Sequence, residues 1–149
     1  MSVVCWDGET LAADKRISIG TLIMTTTKIF QVRDCLVGYT GDVDAGEEML
    51  AWFKEGAKPT KFPEAQRDRE RYAGLLVITQ DKSILHYECT PYPTKFLDKK
   101  IAFGCGRDFA IAAMYLGKSA HEAVQVACIF DSACGNGVDE LTFNKPAPH

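Results

Sequence analysis

Short apolar runs alternate with tight-turn signals along this chain, and that alternation constrains its fold more than any other feature. The dipeptide Asp7-Gly8, which lies between two such runs, is typical of a two-residue hairpin turn. Three pairs of runs predict hairpins: residues 2–6 with 10–13, 28–32 with 36–40, and 74–79 with 83–88. Two more runs, at 101–103 and 138–143, predict further strands. Because strands joined by short turns run antiparallel, the sheets are predicted to be largely antiparallel.

Three stretches between these strands carry apolar residues at helical spacing on one face. The first stripe is Ala45, Met49, Trp52 and Phe53, the second is Phe109, Ala112, Ala113 and Leu116, and the third is Ala120, Ala123, Val124, Ala127 and Cys128. Asp44 with Glu47 predicts the cap of the first helix, and Ser119-x-x-Glu122 is a capping box before the third. The charged segment 63–72 is interpreted as a solvated stretch, with a short surface helix as the alternative.

A helix with one apolar face must cover a sheet with that face. The sequence therefore predicts an α+β protein, a four-layer αββα sandwich of two mostly antiparallel sheets, although the pattern of elements also allows two layers. The length of 149 residues suits one domain that spans 1–149, with a loose tail at 144–149.

The charge balance argues against two kinds of partner. Seventeen basic and twenty acidic side chains give a net charge of −3, so there is no basic excess to neutralise the phosphates of a nucleic acid. The sequence has no apolar run of the roughly 18 residues that a membrane span requires. We therefore expect neither nucleic acid nor membrane as a partner.

Six cysteines raise the question of disulfides or a metal: Cys5, Cys35, Cys89, Cys105, Cys128 and Cys134. The chain begins Met1-Ser2-Val3-Val4-Cys5, without the basic and then apolar leader of a secretory signal, so we expect a cytoplasmic protein with free thiols. No C-x-x-C pair occurs, and neither His86 nor His121 has zinc-type spacing to a cysteine pair, so no metal or other cofactor is predicted. Cys5 lies inside the first predicted strand and is interpreted as a core residue rather than a nucleophile.

Four residues that could carry chemistry lie at strand ends. Ser2 would become the terminal residue if Met1 were removed, Asp14 follows the second strand, Lys28 begins the third, and Gly41 follows the fourth. If the first two hairpins lie side by side, these ends converge. The alternative is that Asp14 and Lys28 are ordinary surface charges.

Five short motifs then follow one another along the chain. They are Leu11-Ala12-Ala13-Asp14-x-Arg16, Thr27-Lys28-Ile29, Leu36-Val37-Gly38-x-x-Gly41, Phe103-Gly104-Cys105-Gly106-x-x-x-Ala110 and Asp131-x-x-Cys134-Gly135. In this order they resemble the proteasome β-subunit family of N-terminal nucleophile (Ntn) hydrolases, in particular the short members found in bacteriophages and some bacteria. The resemblance implies an αββα sandwich, stacked homo-oligomeric rings, hydrolysis of peptides or unfolded proteins, and a possible ATP-dependent unfoldase partner.

The resemblance also assigns roles to the residues at strand ends. Ser2 would be the nucleophile, and its own α-amine, with an ordinary pKa of about 7.7–8.0, would be the base. Lys28 would lie beside the hydroxyl, and Asp14 would keep Lys28 charged and oriented. The backbone N–H of Gly41 would stabilise the oxyanion, and Arg16 would support the site from behind.

Three further residues would surround the amine and help to relay a proton: Asp131, Cys134 and Cys105. The family has serines where this chain has the two cysteines, and threonine where it has Ser2. Thiols are weaker hydrogen-bond partners than hydroxyls. Two hypotheses therefore stand: an active, self-compartmentalised peptidase, and a proteasome-like scaffold or binding protein that has lost activity.

Overall fold

The computed structural model describes residues 2–68 and 70–143, without the side chains at positions 65 and 67. Met1 and the predicted tail at 144–149 lie outside the described residues. The strands are β1 (Val3–Trp6), β2 (Thr10–Asp14), β3 (Arg16–Ile19), β4 (Leu22–Thr25), β5 (Ile29–Val32), β6 (Cys35–Gly41), β7 (Ala73–Ile78), β8 (Ile84–Tyr87), β9 (Thr94–Phe96), β10 (Ile101–Gly104) and β11 (Val138–Thr142). The helices are α1 (Val43–Lys54), α2 (Arg107–Tyr115) and α3 (Ala120–Phe130), and 3₁₀ turns span Pro59–Lys61 and Glu64–Arg67.

Within the described residues, the strands form two main sheets and one separate hairpin. The first sheet has the order β10-β1-β2-β11 and the second has the order β5-β6-β7-β8-β9, while β3 pairs with β4 alone. Neighbouring strands in all three pair antiparallel, as predicted. The predicted hairpins correspond to β1–β2, β5–β6 and β7–β8.

The two main sheets pack face to face because their strands bury side chains on both faces. Val4 and Trp6 of β1 point into a core shared with Leu36 and Leu76 of the second sheet. On its other face the first sheet packs against α2 and α3, and the second sheet packs against α1. The predicted four-layer αββα sandwich is therefore confirmed, and the two-layer alternative is wrong.

The helix ends agree only partly with the sequence pattern. Ser119 and Glu122 form the predicted capping box of α3. The cap of α1 is Asp42 rather than Asp44, since the Asp42 side chain accepts a hydrogen bond from the backbone nitrogen of Ala45 at 2.9 Å. Among the described residues, no helix is both long and apolar enough to cross a membrane.

Three elements differ from the prediction. The β3–β4 hairpin was missed because most of its side chains face outward, so its apolar residues show no buried alternation. The short edge strand β9 lies where no strand was predicted. Segment 63–72 contains a 3₁₀ turn instead of a wholly solvated stretch, and Gln66 within it is fully buried.

Candidate active site

The site is built around the carboxylate of Asp14 at the end of β2. Its Oδ1 accepts hydrogen bonds from the backbone nitrogen of Val3 at 3.0 Å and from Lys28 Nζ at 2.9 Å. Its Oδ2 accepts from the backbone nitrogens of Arg16 at 3.2 Å and Gly135 at 3.1 Å. One carboxylate therefore joins the first strand, the start of β5 and the loop before β11.

Asp14 and Lys28 form a buried ion pair. Their side chains are 0% and 3% exposed. A charge that is removed from water needs an opposite charge and hydrogen bonds to remain ionised, and Asp14 has both. The alternative that these two residues are surface charges is wrong.

Ser2 is 2% exposed and immediately precedes β1, an inner strand of the first sheet. The next residue, Val3, is hydrogen-bonded to Asp14, so Ser2 lies near this pair. Its carbonyl oxygen accepts hydrogen bonds from the backbone nitrogen of Gly106 at 3.3 Å and from Cys105 Sγ at 3.4 Å. Gly104 has a positive φ of 100°, and a Cβ at that position would collide with the Ser2 carbonyl. The glycines of the 103–106 motif thus hold the backbone of Ser2 in place.

Gly41 ends β6 and also requires glycine. Its φ is 99°, and a Cβ there would lie 2.7 Å from the carbonyl oxygen of Tyr72. Gly41, Ser2 and Lys28 line the same open cavity of about 680 Å³. The four residues of the strand-end prediction therefore converge.

Cys105, Asp131 and Cys134 form a second cluster. Their sulfur and carboxylate atoms lie within 4.8 Å of one another. The hydrogen bond between the two thiols lowers the pKa of Cys105 and raises that of Cys134. One oxygen of Asp131, which ends α3, accepts from the backbone nitrogen of Ala133 at 2.9 Å.

Arg16 lies at the mouth of the cavity and is held by the loop before β11. Its Nη1 donates to the carbonyl of Ser132 at 2.7 Å, and its Nε donates to Asn136 Oδ1 at 3.0 Å. Asn136 itself donates to the carbonyl of Met24 at 3.0 Å, which attaches the β3–β4 hairpin to the same loop. Asn136 was not predicted from the sequence, since no motif signals it.

The acidic part of the cavity wall was also not predicted from the sequence. Asp42, Asp44 and Glu70 line the cavity together with Tyr39 and Tyr72. Asp44 was interpreted only as the cap of the first helix and Asp42 was assigned no role in a site, so their position beside the cavity had no signal in the sequence.

Cys5 is a core residue, as predicted. It is fully buried between the first sheet and α3, and its Sγ donates to the carbonyl of Ala120 at 3.4 Å. Burial raises the pKa of its thiol, which opposes formation of the nucleophilic thiolate.

Comparison with known proteins shows the fold. No family model matches this sequence, and no curated protein matches it. Thiobacillus denitrificans BPH has a solved structure with a TM-score of 0.73, 18% identity, and coverage of 99% of this chain and 100% of that chain. The structure of T. denitrificans BPH in complex with epoxomicin has a TM-score of 0.72 and 19% identity, and the match covers 97% of this chain and 100% of that chain. Eukaryotic HslV from Trypanosoma brucei has a TM-score of 0.68 and 19% identity, with coverage of 97% of this chain and 99% of that chain. The chain therefore has the Ntn-hydrolase fold of the proteasome-like proteins.

Proposed function

We propose that this protein is a proteasome-like peptidase that hydrolyses peptide bonds through Ser2 after removal of Met1. The observation that carries the proposal is the shared oxygen of Asp14, which binds both the Lys28 ammonium and the N–H of the peptide bond that follows Ser2. This arrangement places a buried cation beside the residue that would become the terminus.

The chemistry is acyl transfer. The neutral α-amine of Ser2 takes the proton of the Ser2 hydroxyl, and the oxygen attacks the peptide carbonyl. The positive charge of Lys28 favours both the neutral amine and the developing alkoxide. The N–H of Gly41 stabilises the oxyanion, because no side chain crowds the approaching carbonyl there. The amine product leaves with a proton, and water then releases the acid from the ester.

The remaining site residues support the terminus. Asp131, Cys134 and Cys105 surround the amine and relay its proton, while Arg16 fixes the loop that carries two of them. We assign no cofactor to this reaction.

Assembly into a homo-oligomeric ring is part of the same proposal. Ile129 and Phe130 at the end of α3 are 74% and 67% exposed, and Phe130 stacks on the partly exposed Phe109 of α2. The β3–β4 hairpin exposes Ile19, Leu22, Ile23 and Met24. Exposed apolar groups of this kind are typical of contact surfaces. We further propose a cytoplasmic location, relationship to the short bacteriophage and bacterial type, and an unfoldase as a possible partner.

A catalytically inactive scaffold is the second candidate function. The observation that favours it is the presence of two thiols, Cys105 and Cys134, in place of the serines of the family. A thiol accepts and donates hydrogen bonds weakly, so the relay around the amine would be poor. The retained pair of Asp14 and Lys28 favours the active peptidase.

Intact mass and labelling separate the two candidates. After expression without a terminal tag, the active peptidase is expected to be lighter by one methionine and to gain one adduct with epoxomicin, the ligand of T. denitrificans BPH. Ser2→Ala should abolish the adduct, whereas the surface control Ser83→Ala should keep it. A full-length chain that neither cleaves peptides nor forms the adduct would establish the scaffold.

A further inference from the structure

We propose that Cys105, Asp131 and Cys134 form a binding site for a thiophilic divalent cation, with Zn²⁺ as the natural occupant, and that the bound ion blocks the catalytic terminus. The three side chains come from the end of β10, the end of α3 and the loop that follows α3. The first half of the proposal concerns metal binding alone. The second half rests on the proposed function.

The geometry fits a tetrahedral ion. All three candidate ligand atoms lie within 4.8 Å of one another. Zinc bonds of about 2.3 Å to sulfur and about 2.0–2.2 Å to oxygen separate two tetrahedral ligands by roughly 3.5–4 Å. Small side-chain rotations are therefore enough to bring the three atoms onto one ion.

The backbone around the cluster is already fixed. Asp131-x-x-Cys134 has the two-residue spacing that is common between paired zinc ligands. The backbone nitrogen of Cys134 donates to the carbonyl of Asp131 at 3.1 Å, and the Asp131 carboxylate is oriented by Ala133. Cys134 is 1% exposed, so one ligand is held inside the protein while Cys105 and Asp131 are partly accessible.

The donor set selects for a soft cation. Two thiolates favour zinc, whereas magnesium and calcium prefer oxygen ligands. Binding of one Zn²⁺ replaces the protons of both thiols, so two protons are released and two Zn–S bonds form with one bond to the carboxylate. Two thiolates, one carboxylate and the divalent ion leave the occupied cluster with a net charge of −1.

A tetrahedral ion held by these three side chains has a fourth ligand position, and that position accounts for the proposed block of the terminus. Cys105 Sγ already donates to the carbonyl of Ser2 at 3.4 Å, so the cluster lies directly against the terminal residue. In the chain without Met1, the Ser2 α-amine can take the fourth ligand position. An amine whose lone pair is bound to zinc cannot accept the hydroxyl proton.

Cobalt titration tests metal binding without reference to activity. The full chain is stripped with a chelator, kept reduced with a phosphine and titrated with Co²⁺. We expect thiolate-to-cobalt charge-transfer absorption that saturates at one ion per chain and disappears when Zn²⁺ is added. Cys105→Ser/Cys134→Ser should lose this absorption, and Cys128→Ser, which changes a half-buried thiol of α3 outside the cluster, should keep it. Absence of the absorption in the wild-type chain, or its survival in the double variant, would overturn the proposal.

Alkylation of the wild-type chain provides a measurement that does not depend on the folding of a variant. Stoichiometric Zn²⁺ should protect the partly accessible Cys105 from a thiol-alkylating reagent and leave Cys35 equally reactive. Equal labelling of Cys105 with and without zinc would contradict the site.

The inhibitory half is tested separately. Stoichiometric Zn²⁺ should suppress adduct formation on Ser2 at least tenfold in the wild-type chain, and a chelator should restore it. Unchanged labelling by a chain that binds zinc would overturn inhibition while leaving the binding site in place. A metal-free chain that never forms the adduct on Ser2 would refute the proposed function and, with it, inhibition by zinc. The cobalt spectrum would still decide whether the site binds metal.

Discussion

Asp14 is the residue whose side chain joins most parts of the site. It accepts four hydrogen bonds, one of them from the buried Lys28 ammonium. An amide in its place could not balance that charge, and its NH₂ group would face N–H donors of the backbone. We therefore expect Asp14→Asn to lower the free energy of unfolding by about 3–5 kcal/mol, measured by urea denaturation.

A surface pair provides the control for this substitution. Lys82 and Glu9 are 2.7 Å apart but largely exposed, so Glu9→Gln should leave the urea midpoint nearly unchanged. Equal, small effects of the two substitutions would show that the Asp14–Lys28 pair does not stabilise the fold.

His86 predicts a pH dependence of stability. It is 6% exposed, its ring stacks on Phe103 at 3.8 Å, and burial lowers its pKa from 6.5 to about 4. As the pH falls through 6.5, the unfolded chain takes up a proton that the folded chain refuses. The stability that neutral His86 provides is complete above pH 6.5 and falls by up to about 3 kcal/mol towards pH 4.

The measurement is the urea midpoint at pH 7.5 and pH 4.5. The wild-type chain should lose more stability between these values than His86→Leu, which cannot titrate. The same loss in His86→Leu as in the wild type would rule out His86 as its source.

For single residues, the sequence predicted which candidate residues come together, but not their hydrogen-bond partners. Ser2, Asp14, Lys28 and Gly41 were found from strand ends and motif order. Asp14 also accepts hydrogen bonds from the backbone nitrogens of Val3 and Gly135. These bonds depend on how the strands and the loop pack, and the order of residues along the chain does not show that packing. The Cys105, Asp131 and Cys134 cluster was predicted as a relay, yet its suitability for a metal follows from distances alone.

Among the elements, the connection between α1 and β7 is held by one side chain. Gln66 Nε2 donates to the carbonyls of Ala73 at 2.6 Å and Glu88 at 2.7 Å, and its Oε1 accepts from the backbone nitrogen of Ala73 at 2.8 Å. The same connection includes Tyr72, whose carbonyl oxygen accepts from the backbone nitrogen of Asp42 at 3.2 Å. Gln66 therefore stabilises the wall beside Gly41.

Gln66→Ala should loosen that wall. It leaves buried backbone groups without partners, at a cost of about 1–3 kcal/mol for an unsatisfied group. We expect faster hydrogen exchange at Ala73 and faster proteolysis within 59–72, with Gln80→Ala, in an exposed turn, as the control. Exchange at Ala73 that matches the wild type would contradict this role.

Strands whose side chains alternate between two buried faces were predictable from the sequence, and elements without such a pattern were not. The strands β1 and β2 alternate between the core under α3 and the core between the sheets, so the sequence marks them clearly. The β3–β4 hairpin has apolar side chains that face outward, and Gln66 lies in a charged segment that suggests a solvated surface. In both cases tertiary position, rather than local pattern, decides the structure.

For the whole molecule, the packing of helices on sheets followed from the sequence, while the number of layers and the exposed apolar surface did not. A helix with one apolar face implies a sheet beneath it, but that pattern allows two layers as well as four. Residues such as Ile129 and Phe130 belong to helices whose other faces are buried, so the sequence does not distinguish them from core positions.

The exposed end of α3 gives a prediction about assembly. Ile129→Asp/Phe130→Asp should shift the protein to smaller species, measured by sedimentation velocity, because charged groups oppose burial in a contact. Leu97→Asp is the control, since Leu97 is 90% exposed in the loop after β9. A wild-type chain that sediments as a monomer, or a variant that sediments like the wild type, would contradict the proposed ring surface.

Peptide mapping of the labelled protein decides whether the terminus of the chain performs the reaction. After reaction with an electrophile that captures both an amine and a hydroxyl, proteolytic fragments are sequenced by tandem mass spectrometry. We expect one adduct, on a fragment that begins with Ser2 and bears the modification at its α-amine and hydroxyl. An adduct on any other residue, or a terminal fragment that retains Met1 in a protein that still cleaves peptides, would contradict it.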